Sequence, residues 1–206
     1  MEIEIKYFID EEFKVDKIFA DDYIRGIADR ESEETVPMRA VYFDTAEGIL
    51  KKEGIALRVR REGEKLVSTL KWNGMSQEGL YKREEINIPV ADSNMLDNAV
   101  IEIFEQSNMY DVLCRLTKGR ALVPVMEMEF DRRQMRLDTG KSISEISADR
   151  GRILCGGKEA PILELEIELY SGDCDDMEAI GSRIAEKYSL QKGDRSKFKQ
   201  GLDLLK

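Results

Sequence analysis

Histidine is missing from this 206-residue chain. That removes imidazole acid–base catalysis, Ser-His-Asp and Cys-His nucleophilic sites, and the usual nitrogen ligands of zinc. Cysteine is scarce: Cys114, Cys155 and Cys174 are odd in number, widely spaced and form no C-x-x-C pair. They read as reduced thiols of a cytoplasmic protein, serving in packing. No apolar run approaches membrane-spanning length, and the chain starts on an acidic strand rather than a basic, apolar leader. A cytoplasmic protein without a membrane partner is expected. Trp72 is the one tryptophan, which leaves little for an aromatic cage around an organic cation.

Charge is what the chain has in quantity: 42 acidic and 32 basic residues, net −10. The low isoelectric point, near 4.8, argues against nonspecific nucleic-acid binding. Many Lys and Arg nevertheless sit at alternating positions in the middle of the chain. An acidic shell around a basic lining suits a small, highly charged anion. The length is that of one domain, residues 1–206, with a substantial core.

Alternation at a period of two marks the strands. Glu2-Ile3-Glu4-Ile5-Lys6 and Glu164-Leu165-Glu166-Ile167-Glu168-Leu169 set acids against aliphatics, while Leu57-Arg58-Val59-Arg60, Ser68-Thr69-Leu70-Lys71 and Tyr81-Lys82-Arg83-Glu84-Glu85 do the same with cations. Further strands are predicted near 38–45, 64–73, 121–137 and 142–149. Helices are predicted over 16–30, 92–116, 175–188 and 196–205, from recurrences such as Leu96, Val100, Ile103 and Phe104. Glu62-Gly63-Glu64-Lys65, Asn73 to Gly79, Asp138-Thr139-Gly140-Lys141 and Cys155-Gly156-Gly157-Lys158 read as turns. Any one such strand is an ordinary solvated face; the ordered set is not.

That set resembles the CYTH family of triphosphate tunnel metalloenzymes. Glu2-x-Glu4-x-Lys6 is similar to its E-x-E-x-K signature. Tyr42-Phe43-Asp44-Thr45, Leu50, Gly54 and Leu57-Arg58-Val59-Arg60 follow its Y-x-D-T … L … G-x-x-L-R-x-R run. Thr69-Leu70-Lys71, Arg83 with Glu85, Glu164-x-Glu166 and Ser196-Lys197 complete the order. The resemblance implies an α+β, mainly β fold: an antiparallel barrel of roughly eight strands forming a polar tunnel, with helices outside. It also implies a triphosphatase, thiamine triphosphatase or class IV adenylate cyclase. Asn87 stands where the family often has a further acid.

Strand parity then places Glu2, Glu4, Lys6, Arg58, Arg60, Thr69, Lys71, Tyr81, Arg83 and Glu85 inward, and turns Ile3, Ile5, Leu57, Val59, Leu70 and Ile86 outward under helices. A triphosphate needs several cations at hydrogen-bonding distance, and Lys6, Arg58, Arg60, Lys71, Arg83, Arg133 and Lys197 are the expected set. Carboxylates in the same lining would repel it unless a hard divalent cation lay between. Mg²⁺ or Mn²⁺ held by Glu2, Glu4, Glu164, Glu166 and Glu168 resolves the conflict. On β-parity Glu129, Asp131 and Arg133 are grouped on the polar face, and Asp149 is a looser inward candidate. Lys6, Glu4 and Glu166 are the expected catalytic residues, in metal-assisted phosphoryl transfer by positioning and electrostatics. Asp44-Thr45 reads as a structural cap. The expected partner is a small-molecule triphosphate, foremost inorganic triphosphate; a cyclase, a thiamine triphosphatase and a non-catalytic polyphosphate-binding module are the alternatives.

Overall fold

The computed structural model describes residues 1–206. Its long strands are β1 (Glu2–Phe8), β2 (Glu34–Thr45), β3 (Ala56–Glu62), β4 (Lys65–Gln77), β5 (Leu80–Pro89), β6 (Leu122–Asp138), β7 (Ser142–Cys155) and β8 (Lys158–Gly172). They pair antiparallel in the order β5-β4-β3-β2-β6-β7-β8-β1, and β1 returns to β5 to close the barrel. A two-residue strand, β9 (Gln191–Lys192), adds to β1 at Tyr7 and Phe8, beyond the stretch that β5 covers. Closure leaves no long unpaired edge.

The apolar side chains alternate outward, as the sequence predicts. Ile5, Tyr7, Leu165, Ile167 and Ile146 meet helices α1 (Phe13–Phe19), α2 (Asp22–Ile27) and α5 (Cys174–Tyr188) through Ile18, Phe19, Ile24, Met177, Ile180 and Ile184. On another part of the outer wall, Leu57, Val59 and Leu70 pack under Leu50 of α3 (Ile49–Lys52), Leu113 of α4 (Tyr110–Thr117) and Phe104. Each such side chain, buried from water, contributes roughly 1.5–3 kcal/mol. The helices thus stabilise the barrel from outside and free its interior for charge. In α5, Met177, Ile180, Gly181 and Ile184 share one face. A Cβ on Gly181 would stand 2.6 Å from the Tyr7 hydroxyl, so glycine lets the helix lie this close.

Several boundaries differ from expectation for local reasons. The helix predicted over 16–30 is two, because the Asp21 carboxylate accepts from the Tyr23 and Ile24 amides and starts a new helix. Between 92 and 109 the chain forms short 3₁₀ turns, Ser93–Leu96 and Ile101–Phe104, with α4 alone being α-helical. The predicted loop 73–79 is mostly strand. β4 runs to Gln77 through an irregularity after Trp72, and the turn is only Glu78-Gly79, both at positive φ. The final helix, α6 (Lys197–Asp203), lies across one end of the barrel. Phe198 stacks on Tyr42 with ring centroids 4.9 Å apart, and Leu202 joins Met126, Met128 and Ile153 inside.

Candidate active site

The register decides which charges meet. Glu2 is opposite Arg83 on β5, Glu4 opposite Glu168 on β8, and Lys6 opposite Glu166. On β3 and β4, Arg58 lies opposite Thr69. These inward faces surround a cavity of about 360 Å³, lined by Glu2, Glu4, Lys6, Arg58, Arg60, Lys71, Arg83, Arg132, Glu166, Glu168 and Lys197, among others.

Its charges fall into two groups. In the first, Lys71 Nζ sits 2.7 Å from Glu2 and 2.6 Å from Glu85, while Arg83 binds Glu2 through Nε and Glu4 through Nη2 at 2.8 Å. Burial would raise Glu2, but Lys71 and Arg83 outweigh it and hold the carboxyl below its ordinary range. Burial is likewise outweighed at Glu85, where Lys71 leads the opposing effects and brings the pKa to about 2. Glu168 has no such cation beside it. Burial, reinforced by Glu2 and Glu4, pushes it up to about 7.

The second group lies deeper. Asp149, Glu164 and Glu166 place carboxylate oxygens within 4.8 Å of one another. Arg132 forks onto Asp149, both bonds 2.7 Å, and reaches Glu166 at 2.8 Å. Lys6 bonds Glu166 and lies 3.7 Å from Glu4 and 3.8 Å from Glu164. Lys197 enters from α6. Desolvation pulls against the charges of Asp149, Glu166, Lys6 and Lys197, yet the two acids stay below and the two lysines above their ordinary values, because opposite charges surround them. Between the groups, Arg58 donates to Thr69 at 3.3 Å while its Nε is buried without a partner, which leaves the guanidinium open to an anion. Arg60 binds Glu62; burial and the nearby Arg58 lower its pKa.

One expected residue is elsewhere. Arg133 points away from the cavity, pairing with Glu33 at 2.7 Å and Asp16 at 2.8 Å and covering the Phe19 ring at 4.5 Å. Arg132 is the inward cation of β6. Glu129 and Asp131 share the outer face with Arg133; Met126, Met128 and Phe130 share the inner one. The alternation of Met126, Met128 and Phe130 marks one face of β6 as apolar, but does not say that this face is the inner one. Asp149 does lie inside. Tyr42 also lines the cavity, and burial opposes but does not prevent the lowering of its phenol by Arg58, Lys71 and Arg83. Asp44 is a cap: its carboxylate accepts from the amides of Thr45, Leu50 and Lys51 at 2.7, 2.8 and 3.0 Å.

The donor set fits a hard divalent cation. Asp149, Glu164 and Glu166 offer oxygen ligands only, and neither Glu164 oxygen receives a hydrogen bond despite being buried. Glu2, Glu4 and Glu168 are further oxygen donors on the adjoining wall.

Comparison with known proteins agrees with this architecture. The chain is 30% identical over 163 residues, 78% of its length, to an inorganic triphosphatase of Haemophilus influenzae, and spans 44% of that relative. Among solved structures, a candidate adenylyl cyclase of Hippeastrum, described as having a dominant triphosphatase activity, superposes with a TM-score of 0.71 at 19% identity, covering 96% of this chain and 93% of that one. A protein of Pyrococcus horikoshii gives 0.61 at 18% identity, covering 99% of each. The CYTH domain model matches residues 1–202, and with a closed charged barrel built on its motifs the chain belongs to the CYTH family.

Proposed function

We propose that the chain is a divalent-metal-dependent triphosphatase that hydrolyses inorganic triphosphate to pyrophosphate and phosphate. The observation that carries this reading is a cavity lined by Arg58, Arg60, Lys71, Arg83 and Arg132 together with Glu166, whose carboxylate belongs to the buried oxygen-only cluster with Asp149 and Glu164. A pure anion binder has no use for the carboxylates, and a pure cation site has no use for so many guanidiniums. The homology to an inorganic triphosphatase supports the choice of substrate.

In this reading Arg58, Arg60, Lys71, Arg83 and Arg132 grip phosphate oxygens, with the planar guanidiniums taking two at once. Lys6 and Lys197 divide between the acids and the phosphate. Asp149, Glu164 and Glu166 would hold Mg²⁺ or Mn²⁺, with Glu2, Glu4 and Glu168 completing the ligand wall; the ion supplies charge neutralisation and orientation of phosphate oxygens. The rate then comes from positioning and preorganised charge rather than from a strong base. A cytoplasmic setting follows from the same reading, and Cys114, Cys155 and Cys174 are all free thiols. No helix is long and apolar enough to cross a membrane.

A second reading has one observation in its favour. Tyr42, Phe198 and Trp72 give part of the cavity an aromatic wall, which could receive the nucleoside of ATP in a cyclase. The test is a panel of triphosphate, ATP, GTP and thiamine triphosphate with Mg²⁺ or Mn²⁺, followed for phosphate, pyrophosphate and cyclic nucleotide. Triphosphate should be consumed fastest, giving equal amounts of pyrophosphate and phosphate. Stoichiometric cyclic AMP with little triphosphate hydrolysis would overturn the hydrolase in favour of the cyclase.

A further inference from the structure

Lys197 Nζ lies 2.7 Å from Asp149, 2.6 Å from Glu164 and 2.7 Å from Glu166. The ammonium therefore sits at the centre of the carboxylate cluster that fits a divalent cation. The two cations claim the same oxygens. Glu164 makes the point sharply: its oxygens are in ionic contact with Lys197 and Lys6, yet neither receives a properly directed hydrogen bond. A lysine fills that position electrostatically without satisfying it as a metal would.

Charge balance gives the consequence. Asp149, Glu164 and Glu166 face three cations, Lys6, Arg132 and Lys197, and Glu4, 3.7 Å from Lys6, is paired by Arg83, so the charges of the deep group are already matched. A divalent ion added there leaves a positive excess in a place remote from water, where an unpaired charge is costly. The excess is relieved by removing Lys197 or by bringing in a polyanion. Lys197 is the first residue of α6, and its side chain is only 10% exposed, so it cannot leave alone. The helix that carries it is seated by the Phe198–Tyr42 stack, by Leu202 and by the close approach of Gly201 to Met126.

We propose that Lys197 is an internal counter-ion competing with the divalent metal for Asp149, Glu164 and Glu166, so that metal binding without a polyanion undocks α6 from the barrel end. A triphosphate accepts the displaced ammonium and keeps the helix in place. Metal and substrate are then mutually reinforcing ligands. The idea rests on the metal-dependent reading of the site, and its test uses binding rather than turnover.

Mn²⁺ is titrated into the substrate-free protein, free Mn²⁺ being read by electron paramagnetic resonance, for wild type, Lys197→Met and the exposed control Lys199→Met. Lys197→Met should bind Mn²⁺ at least about tenfold more tightly, and Lys199→Met like wild type. Equal or weaker binding by Lys197→Met overturns the competition. Should that variant fail to fold, hydrogen exchange in the wild type decides: saturating Mn²⁺ should raise exchange of the α6 amides, and unchanged exchange overturns the coupling. Absence of Mn²⁺ binding in wild type and Lys197→Met alike would remove the metal reading itself, a result separable from equal affinities.

Discussion

Glu164-Leu165-Glu166 on β8 and Glu127-Met128-Glu129 on β6 are the same written pattern with opposite outcomes. On β8 the acids face the cavity and Leu165 is buried outside, under α5. On β6 the acids face outward, where Glu127 pairs with Arg39 at 2.5 Å and Glu129 with Arg152 at 2.8 Å, and Met128 is buried inside. The difference is what covers the outer wall. Where a helix lies on the barrel, the outer face is the apolar slot and charge turns inward. Where none does, charge takes the solvent face and the apolar residues fill the lumen. Alternation fixes that two faces differ; the packing of neighbouring elements fixes which face is which.

Substitution of paired acids tests this most severely. Glu166→Gln removes the partner of Lys6, Arg132 and Lys197 together and should lower metal-dependent triphosphate turnover by about two orders of magnitude or more. Glu129→Gln should leave turnover within about twofold. Comparable losses at the two positions, measured with melting curves to confirm folding, would mean that the inner and outer faces have been interchanged.

Adjacent arginines on β6 give the next contrast. Arg132→Ala loses a charge-assisted contact worth roughly 1.5–3 kcal/mol, so kcat/KM should fall about ten- to a hundredfold. Arg133→Ala should keep its activity and lose about 1 kcal/mol of stability, through Glu33 and the Phe19 face. On β3 the same comparison pairs Arg60→Ala, expected to reduce kcat/KM about tenfold or somewhat more, with the exposed Arg61→Ala, expected to do little.

The smallest effect concerns stability against pH. With its pKa pushed from 4.5 up to about 7, Glu168 holds a proton in the folded chain that the unfolded chain has already released. Stability of the metal-free protein should therefore fall as pH rises from about 4.5 to about 7 and level off above. Glu168→Gln, which never ionises, should exceed wild type by roughly 1–3 kcal/mol at pH 8 and match it near pH 4 in urea titrations. A variant advantage that is the same at both pH values would show that Glu168 titrates normally.

Much of the site was legible because a closed barrel enforces a period of two. Glu2, Glu4 and Lys6, Arg58 with Arg60, Lys71, Arg83, and Glu164 with Glu166 all line the cavity or its deep acidic group, as their spacing predicts. Lys197 is different in kind. Its spacing alone reads as a surface helix residue, the Ser196-Lys197 resemblance put it in the expected set, and the placement of α6 across the barrel end carries its ammonium among three carboxylates.

The sequence by itself determined the strands, the alternation of charged and aliphatic side chains, and the chemical types that the lining would contain, since these depend on neighbours two residues apart. Tertiary structure alone decided that Arg132 and not Arg133 joins the cavity, that Asp149 completes the acidic cluster with Glu164 and Glu166, and that Met128 and Phe130 fill part of the lumen. Those outcomes depend on register between strands far apart in the chain and on which stretches of the outer wall the helices cover, and neither is written in any local pattern.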